Sequence, residues 1–197
     1  MIRAQEMILI GSAGRNAGKT TLAAAFIKRW KGTFPVTALK VTSIPSRSHR
    51  CPRGGESCGA CHALGGADFA LQEEKEEKEA EGAPAVPDKD TARLLRAGAD
   101  RVFWLRSLYD ALEAGYRAFL EKAPPYTLVV CESNSLREAV DPGCFIMLQN
   151  RDEPEMKPSA ARVASLADVS AAPEDVAGIL ARVTVERDRA GARVRVR

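Results

Sequence analysis

The stretch Glu6–Trp30, EMILIGSAGRNAGKTTLAAAFIKRW, decides how the rest of the chain is read. Glu6–Ile10 is a short apolar run closed by glycine, the pattern of a strand buried on both faces. From Lys19 onward, Leu22, Ala25, Phe26 and Arg29 keep helical spacing, and Gly32 stands where that helix would end. Between them lies AGRNAGKT, Ala13 to Thr20, the phosphate-binding loop pattern with alanine at its first glycine. Gly14 and Gly18 would let the backbone curl until successive N–H groups face one anion. Lys19 is placed to reach β- and γ-phosphates and the Thr20 hydroxyl to complete a Mg²⁺ shell. The helix that starts near Gly18 would bring its positive end to the same anion. The expected nucleotide contacts are therefore Ala13, Gly14, Arg15, Asn16, Ala17, Gly18, Lys19, Thr20 and Thr21.

Working outward, Pro35–Val41 reads as a second strand, followed by Asp100–Arg106, Tyr126–Ser133, Cys144–Asn150 and Ala167–Ala171. Helical patterns fall at Thr91–Ala97, Leu108–Lys122, Ser159–Ser165 and Pro173–Val183. Strands alternating with helices of this length predict an α/β fold, a mainly parallel sheet covered on both faces. Ligands of such sheets bind at the carboxyl ends of the strands. The chain of 197 residues reads as a single domain. The C-terminal RDRAGARVRVR alternates Val and Arg, which suggests a strand with one wet face or a frayed tail.

From 42 to 87 the alternation lapses, which marks an insertion after the second strand. Its charged half, QEEKEEKEAEGAPAVP, reads as a solvated helix or a linker. Its other half, CPRGGESCGACH, holds Cys51, Cys58 and Cys61 among Gly54, Gly55 and Gly59. Thiolates suit Zn²⁺ or an iron–sulfur cluster, and both want four ligands, so His62, His49, Cys131 or Cys144, or else a partner subunit or substrate, would supply the last. Free thiols and a redox pair are the other readings of this loop. Cys58-Gly-Ala-Cys61-His62 also fits the haem-attachment pattern. The expected compartment argues against haem, since attachment of that kind is not a cytoplasmic event. Cys144, opening an apolar strand, reads as a small core residue.

A formal net charge of +3 gives no case for a nucleic-acid partner. No run approaches the roughly 18 apolar residues of a membrane span, and MILIGSAG is too short for a signal peptide. The expectation is a cytoplasmic protein with reduced thiols.

Three landmarks in order, AGRNAGKTTL, ALKVT and DKDTARLLRAGADRV, resemble the molybdopterin-guanine dinucleotide biosynthesis protein B (MobB) family. In that family the loop is followed by a strand ending in a lysine-containing segment. A K-D-[ST] motif then leads a helix that closes with A-G-A. Here those residues are Lys40, Lys89-Asp90-Thr91 and Ala97-Gly98-Ala99, and LVVCESNSL resembles the family's strand ending in V-E-G. The resemblance implies a three-layer, Rossmann-like P-loop NTPase fold, possible dimerisation, and slow Mg²⁺-dependent hydrolysis of GTP, with ATP the alternative. It makes Lys19 and Glu132 the catalytic candidates and Thr20, Glu132 and, second, Asp90 the Mg²⁺ candidates. The alternative reading of Asp90 is a cap for its helix. It further implies a molybdopterin-type cofactor or a cofactor-assembly protein as client. Two departures, SRSHRCPRGGESCGAC where the family has histidines and CESNSL at the acidic strand end, leave a different client open. A small-molecule kinase, or an adaptor that binds nucleotide without hydrolysing it, remains an alternative. NRDE, Asn150 to Glu153, resembles a guanine-reading N-K-x-D with two of its residues changed.

Overall fold

A computed structural model describes residues 1–14, 17–47, 64–75, 89–149, 156–189 and 191–197. Strand β1 (Ile2–Ser12) runs into the glycine loop and helix α1 (Lys19–Trp30), then strand β2 (Val36–Ile44). Strand β3 (Phe69–Glu74), helix α2 (Asp90–Arg96) and strand β4 (Arg101–Leu108) follow. A 3₁₀ turn at Tyr109–Ala111 leads into helix α3 (Leu112–Lys122), and strand β5 (Leu128–Glu132) comes next. Strand β6 (Val140–Leu148), helix α4 (Pro158–Ala161), strand β7 (Val169–Ala171) and helix α5 (Val176–Arg182) complete the α/β part, and strands β8 (Val183–Asp188) and β9 (Gly191–Val196) form a hairpin.

The sheet has seven strands in the order β3-β4-β2-β5-β1-β6-β7. Only β3 runs antiparallel, paired with β4 along the edge. Side chains alternate across the sheet as a strand's period of two requires. Ile8 and Ile10 face a core built with Leu22, Phe26 and Ile27 of α1, Leu94 of α2 and Ile179 of α5. Met7 and Leu9 face the opposite core, with Tyr116 and Phe119 of α3 and Ala160 of α4. Helices therefore cover both faces of a mostly parallel sheet, consistent with a Rossmann-like arrangement. No described helix is long and apolar enough to cross a membrane.

Several elements differ from the sequence reading: β6 begins at Val140 rather than Cys144, the helix expected from Leu108 begins at Leu112, and the one expected over Ser159–Ser165 is the short Pro158–Ala161 followed by a 3₁₀ turn. Thr42–Ile44 continue β2, and Phe69–Glu74 form an edge strand within the region expected to lack alternation. A lone antiparallel edge strand carries half-buried side chains and no long apolar run, so FALQEE gives little periodic signal. The helix expected over Pro173–Val183 stops at Arg182, because β-branched Val183 and Val185 turn the chain into β8. Its partner β9 is the strand with one wet face: Ala192 and Val194 enter the first core while Arg195 stays outside.

Between Ala4 and Ile8 the register of β1 against β6 shifts, and Gly143 sits opposite the irregularity. A Cβ at Gly143 would lie 2.3 Å from the Gln5 carbonyl oxygen, a main-chain atom with no room to move. Gly115, inside α3, would meet only the tip of Leu105, at 2.8 Å. Gly143→Ala is therefore expected to cost about 2–3 kcal/mol, whereas Gly115→Ala, helped by helix propensity, should stay within about 1 kcal/mol. Urea midpoints of the two variants against the parent check the contrast.

Candidate functional site

The site assembles where β1, β2 and β5 end side by side. Parallel register sets Glu132 beside Ile10 on one flank and Lys40 on the other. The backbone at Gly18 is left-handed, φ 71°, and a Cβ there would press on Pro173 at 3.3 Å, so glycine is the fitting residue. Helix α1 begins immediately after it with no acidic side chain in its first turn, which leaves the positive end of the helix uncompensated.

Lys19, Thr20 and Glu132 come together as expected. Thr20 Oγ1 donates to Glu132 Oε2 at 3.1 Å, and Glu132 is only 3% exposed. Its second oxygen, Oε1, is buried without a hydrogen-bond partner. Burial pushes the Glu132 carboxyl above its ordinary range against the charge of Lys40, and Asp90 adds to the rise. Burial likewise depresses the Lys19 ammonium, opposed by Glu132. A solvent-exposed strand-end carboxylate is excluded by this geometry.

Asp90 opens α2, makes no side-chain cap, and pairs instead with the Lys40 ammonium. Burial works to raise its carboxyl, but the hydrogen bond and charge of Lys40, with Thr20 and Arg93, hold it below the usual range. Thr21 is exposed and accepts from Arg93 Nη2 at 3.4 Å. Together these groups line a pocket of about 790 Å³ that also takes in Thr42, Ser43, Ser133, Ser135 and Lys157. No three His, Cys, Asp or Glu side chains converge among the described residues. A Mg²⁺ ion does not need them, since it keeps waters and phosphate oxygens with one or two protein ligands.

Two groups that bind the loop in place carry no strong signal in the sequence. Asn134 brackets the main chain of Ser12: the Ser12 N–H donates to Asn134 Oδ1 at 2.7 Å, and Asn134 Nδ2 donates to the Ser12 carbonyl at 3.0 Å. Ser12 Oγ in turn accepts from Lys19 Nζ at 2.7 Å and donates to the Gly14 carbonyl at 2.9 Å. Lys157 completes the frame, its N–H on the Ala13 carbonyl at 3.1 Å and its ammonium on the Gly14 carbonyl. A small polar residue just before the loop hints at Ser12. Lys157 becomes legible only once β6 is known to lie beside β1.

Cys131 and Cys144 are fully buried, and they face opposite cores. Burial pushes the Cys131 thiol well up and the Cys144 thiol up to about 12. Each is therefore packed as a core thiol. Cys51, Cys58 and Cys61, with His49 and His62, lie outside the described residues, as do Arg15, Asn16 and Asn150–Glu153.

No protein-family model, curated protein or solved structure matches this chain.

Ser12 is fully buried, so removing its amide partner would leave a main-chain N–H and C=O unpaired. Asn134→Ala is expected to lower stability by about 1–3 kcal/mol, the range for an orphaned buried group. A chemical denaturation series measures this, and an unchanged midpoint would show that water replaces the amide.

Proposed function

We propose that the chain is a P-loop nucleotide-binding protein that takes GTP or ATP with Mg²⁺ and hydrolyses it slowly. The observation that carries this reading is the buried Glu132 carboxylate, half-satisfied by Thr20, beside Lys19, which directly follows the left-handed Gly18. An unpartnered buried oxygen next to a hydroxyl is the donor set that a hard divalent cation wants. Thr20 and Glu132 would hold the ion, with Asp90 a more distant acidic neighbour. Once bound, Mg²⁺ would neutralise charge on the β- and γ-phosphates.

The chain's own groups account for the rest. Lys19, whose ammonium donates to Ser12 Oγ, would turn to a phosphate oxygen. The start of α1 presents N–H groups and its positive end to the same anion. Glu132 would orient a water of the Mg²⁺ shell.

A kinase reading has one specific support. The pocket extends past Lys19 along hydroxyls of Thr42, Ser43, Ser133 and Ser135, toward Lys40 and Arg93, with Val41 among the few apolar contacts. A small polar acceptor suits that lining, and nucleotide consumption that depends on an added acceptor would select this reading. The MobB resemblance favours a molybdopterin-type or other metallocofactor client, and a Zn²⁺ or iron–sulfur centre on Cys51, Cys58 and Cys61. That part rests on the sequence alone.

Isothermal titration with Mg²⁺ and GTP or ATP tests the nucleotide site. Lys19→Ala is expected to weaken binding at least about 100-fold, the scale of losing charge-assisted contacts to two phosphates. Glu132→Gln should retain nucleotide but lose most Mg²⁺-dependent turnover. Binding indifferent to Lys19 would overturn the proposal. Metal and acid-labile sulfide content of anaerobically purified protein, with and without Cys51→Ser/Cys58→Ser/Cys61→Ser, tests the cysteine centre. Equal and negligible metal in both forms would remove it.

A further inference from the structure

Two ammonium groups meet on one short relay at the entrance of the glycine loop. Lys19 Nζ donates to Ser12 Oγ, Ser12 Oγ donates to the Gly14 carbonyl, and Lys157 Nζ donates to that same carbonyl. Lys19 comes from within the loop. Lys157 comes from a different part of the fold, the connection between β6 and α4, and lines the same pocket.

The placement of Lys157 is not that of a swinging surface lysine. Its own N–H is tied to the Ala13 carbonyl at 3.1 Å, and Pro158 fixes the backbone at the first position of α4. Ser159, one residue further, accepts from Asn134 Nδ2 at 3.3 Å, so the segment is stitched to the loop and to the end of β5 together. A cation has thus been brought to the loop mouth on a fixed main-chain tether, and its ammonium is satisfied there by a loop carbonyl. Lys19 is in the same condition, with a loop hydroxyl as its acceptor. Both acceptors belong to the rim around which an anion would sit. Like charges brought this close to one carbonyl–hydroxyl pair favour an anion between them.

We propose that Lys157 is a second phosphate-contacting cation of this site, supplied in cis and directed at the terminal phosphate of a bound nucleoside triphosphate. The proposal rests on the nucleotide-binding reading above and deepens it. It gives the site an in-chain counterpart to the cationic finger that other P-loop enzymes borrow or insert. In hydrolysis the β,γ P–O bond breaks, a P–O bond to water forms, and the water's proton passes to the released phosphate. Negative charge grows on the departing oxygens, and a cation already in position stabilises it without reorganisation.

The test compares Lys157→Gln, Lys157→Arg and Lys19→Ala in the full chain. Glutamine can still donate to the Gly14 carbonyl but carries no charge, so it separates a loop clamp from a phosphate contact. The expected result for Lys157→Gln is an affinity for a non-hydrolysable Mg²⁺–triphosphate analogue lower by about ten- to hundredfold, the loss of one charge-assisted hydrogen bond. Affinity for the diphosphate should stay within about twofold, since the terminal phosphate is missing from it. The kcat for triphosphate hydrolysis should fall as well, and Lys157→Arg should recover most of both. Circular dichroism and the thermal midpoint of each variant confirm that folding is retained. Wild-type triphosphate affinity in Lys157→Gln would overturn the proposal, as would an equal loss for di- and triphosphate, which would make Lys157 a clamp only. If Lys19→Ala abolishes binding and Lys157→Gln does not, this inference alone fails. If neither variant alters nucleotide binding, the nucleotide reading fails with it.

Discussion

The Glu132 carboxylate, almost wholly withdrawn from water, is the constraint around which this end of the molecule is built. A carboxylate this deep is costly unless hydrogen bonds and opposite charges meet it. The chain supplies them from two elements at once, α1 and β2. Thr20 reaches it from the first turn of α1, Lys19 from the residue before, and Lys40 from the neighbouring strand. That convergence depends on β5 lying between β1 and β2, a placement that local contacts would not produce. In sequence order β2 follows β1, and β5 is inserted between them only after β4 has been laid down on the outer side.

Strand order also explains why one part of the site was legible and another was not. The loop from Ala13 to Thr20 is a local object, and its left-handed Gly18 and the helix beginning at Lys19 follow from residue types over a few positions. Glu132 was legible only through the resemblance of LVVCESNSL to a family strand ending in V-E-G, since nothing in its local spacing marks it. Its depth of burial and its unpartnered oxygen belong to the assembled fold and leave no trace in spacing. Asn134 and Lys157 are less visible still: each acts on Ser12, Ala13 or Gly14 from more than a hundred residues away, through single hydrogen bonds to main-chain atoms. A bond to a carbonyl makes no demand on the residue that owns it, so neither partner's identity announces the other. The edge strand β3 and the hairpin strand β8 were obscured differently. Their side chains are half-wet, and in Phe69–Glu74 the charged residues that protect an edge hide the strand's own periodicity.

The hairpin is remote from the pocket yet contributes to its shape. Ala192 and Val194 of β9 and Val183 and Val185 of β8 close the core on which α1 also lies, so the helix that presents the loop is backed from below. Val194 and the Gln5 carbonyl together leave no volume for a side chain at Gly143, where β1 and β6 change register. Strand β1 is thereby fixed at its start by close packing and at its end by Asn134, and the loop hangs from a strand with little freedom to slide.

The charge balance of the pocket then narrows what fits it. Among the described residues, Lys19, Lys40, Arg93 and Lys157 line it against Glu132 and Asp90, an excess of positive charge before any ion enters. A divalent cation alone would increase that excess, although Glu132 offers it a ligand. An anion alone would face the unpaired oxygen of Glu132. A polyanion carrying its own Mg²⁺, as proposed above, would satisfy both sides: the ion would take the buried oxygen, while the phosphates, whose negative charge exceeds that of the ion, would answer the lysines. On that proposal cation and polyanion would bind together, each making the other's binding more favourable.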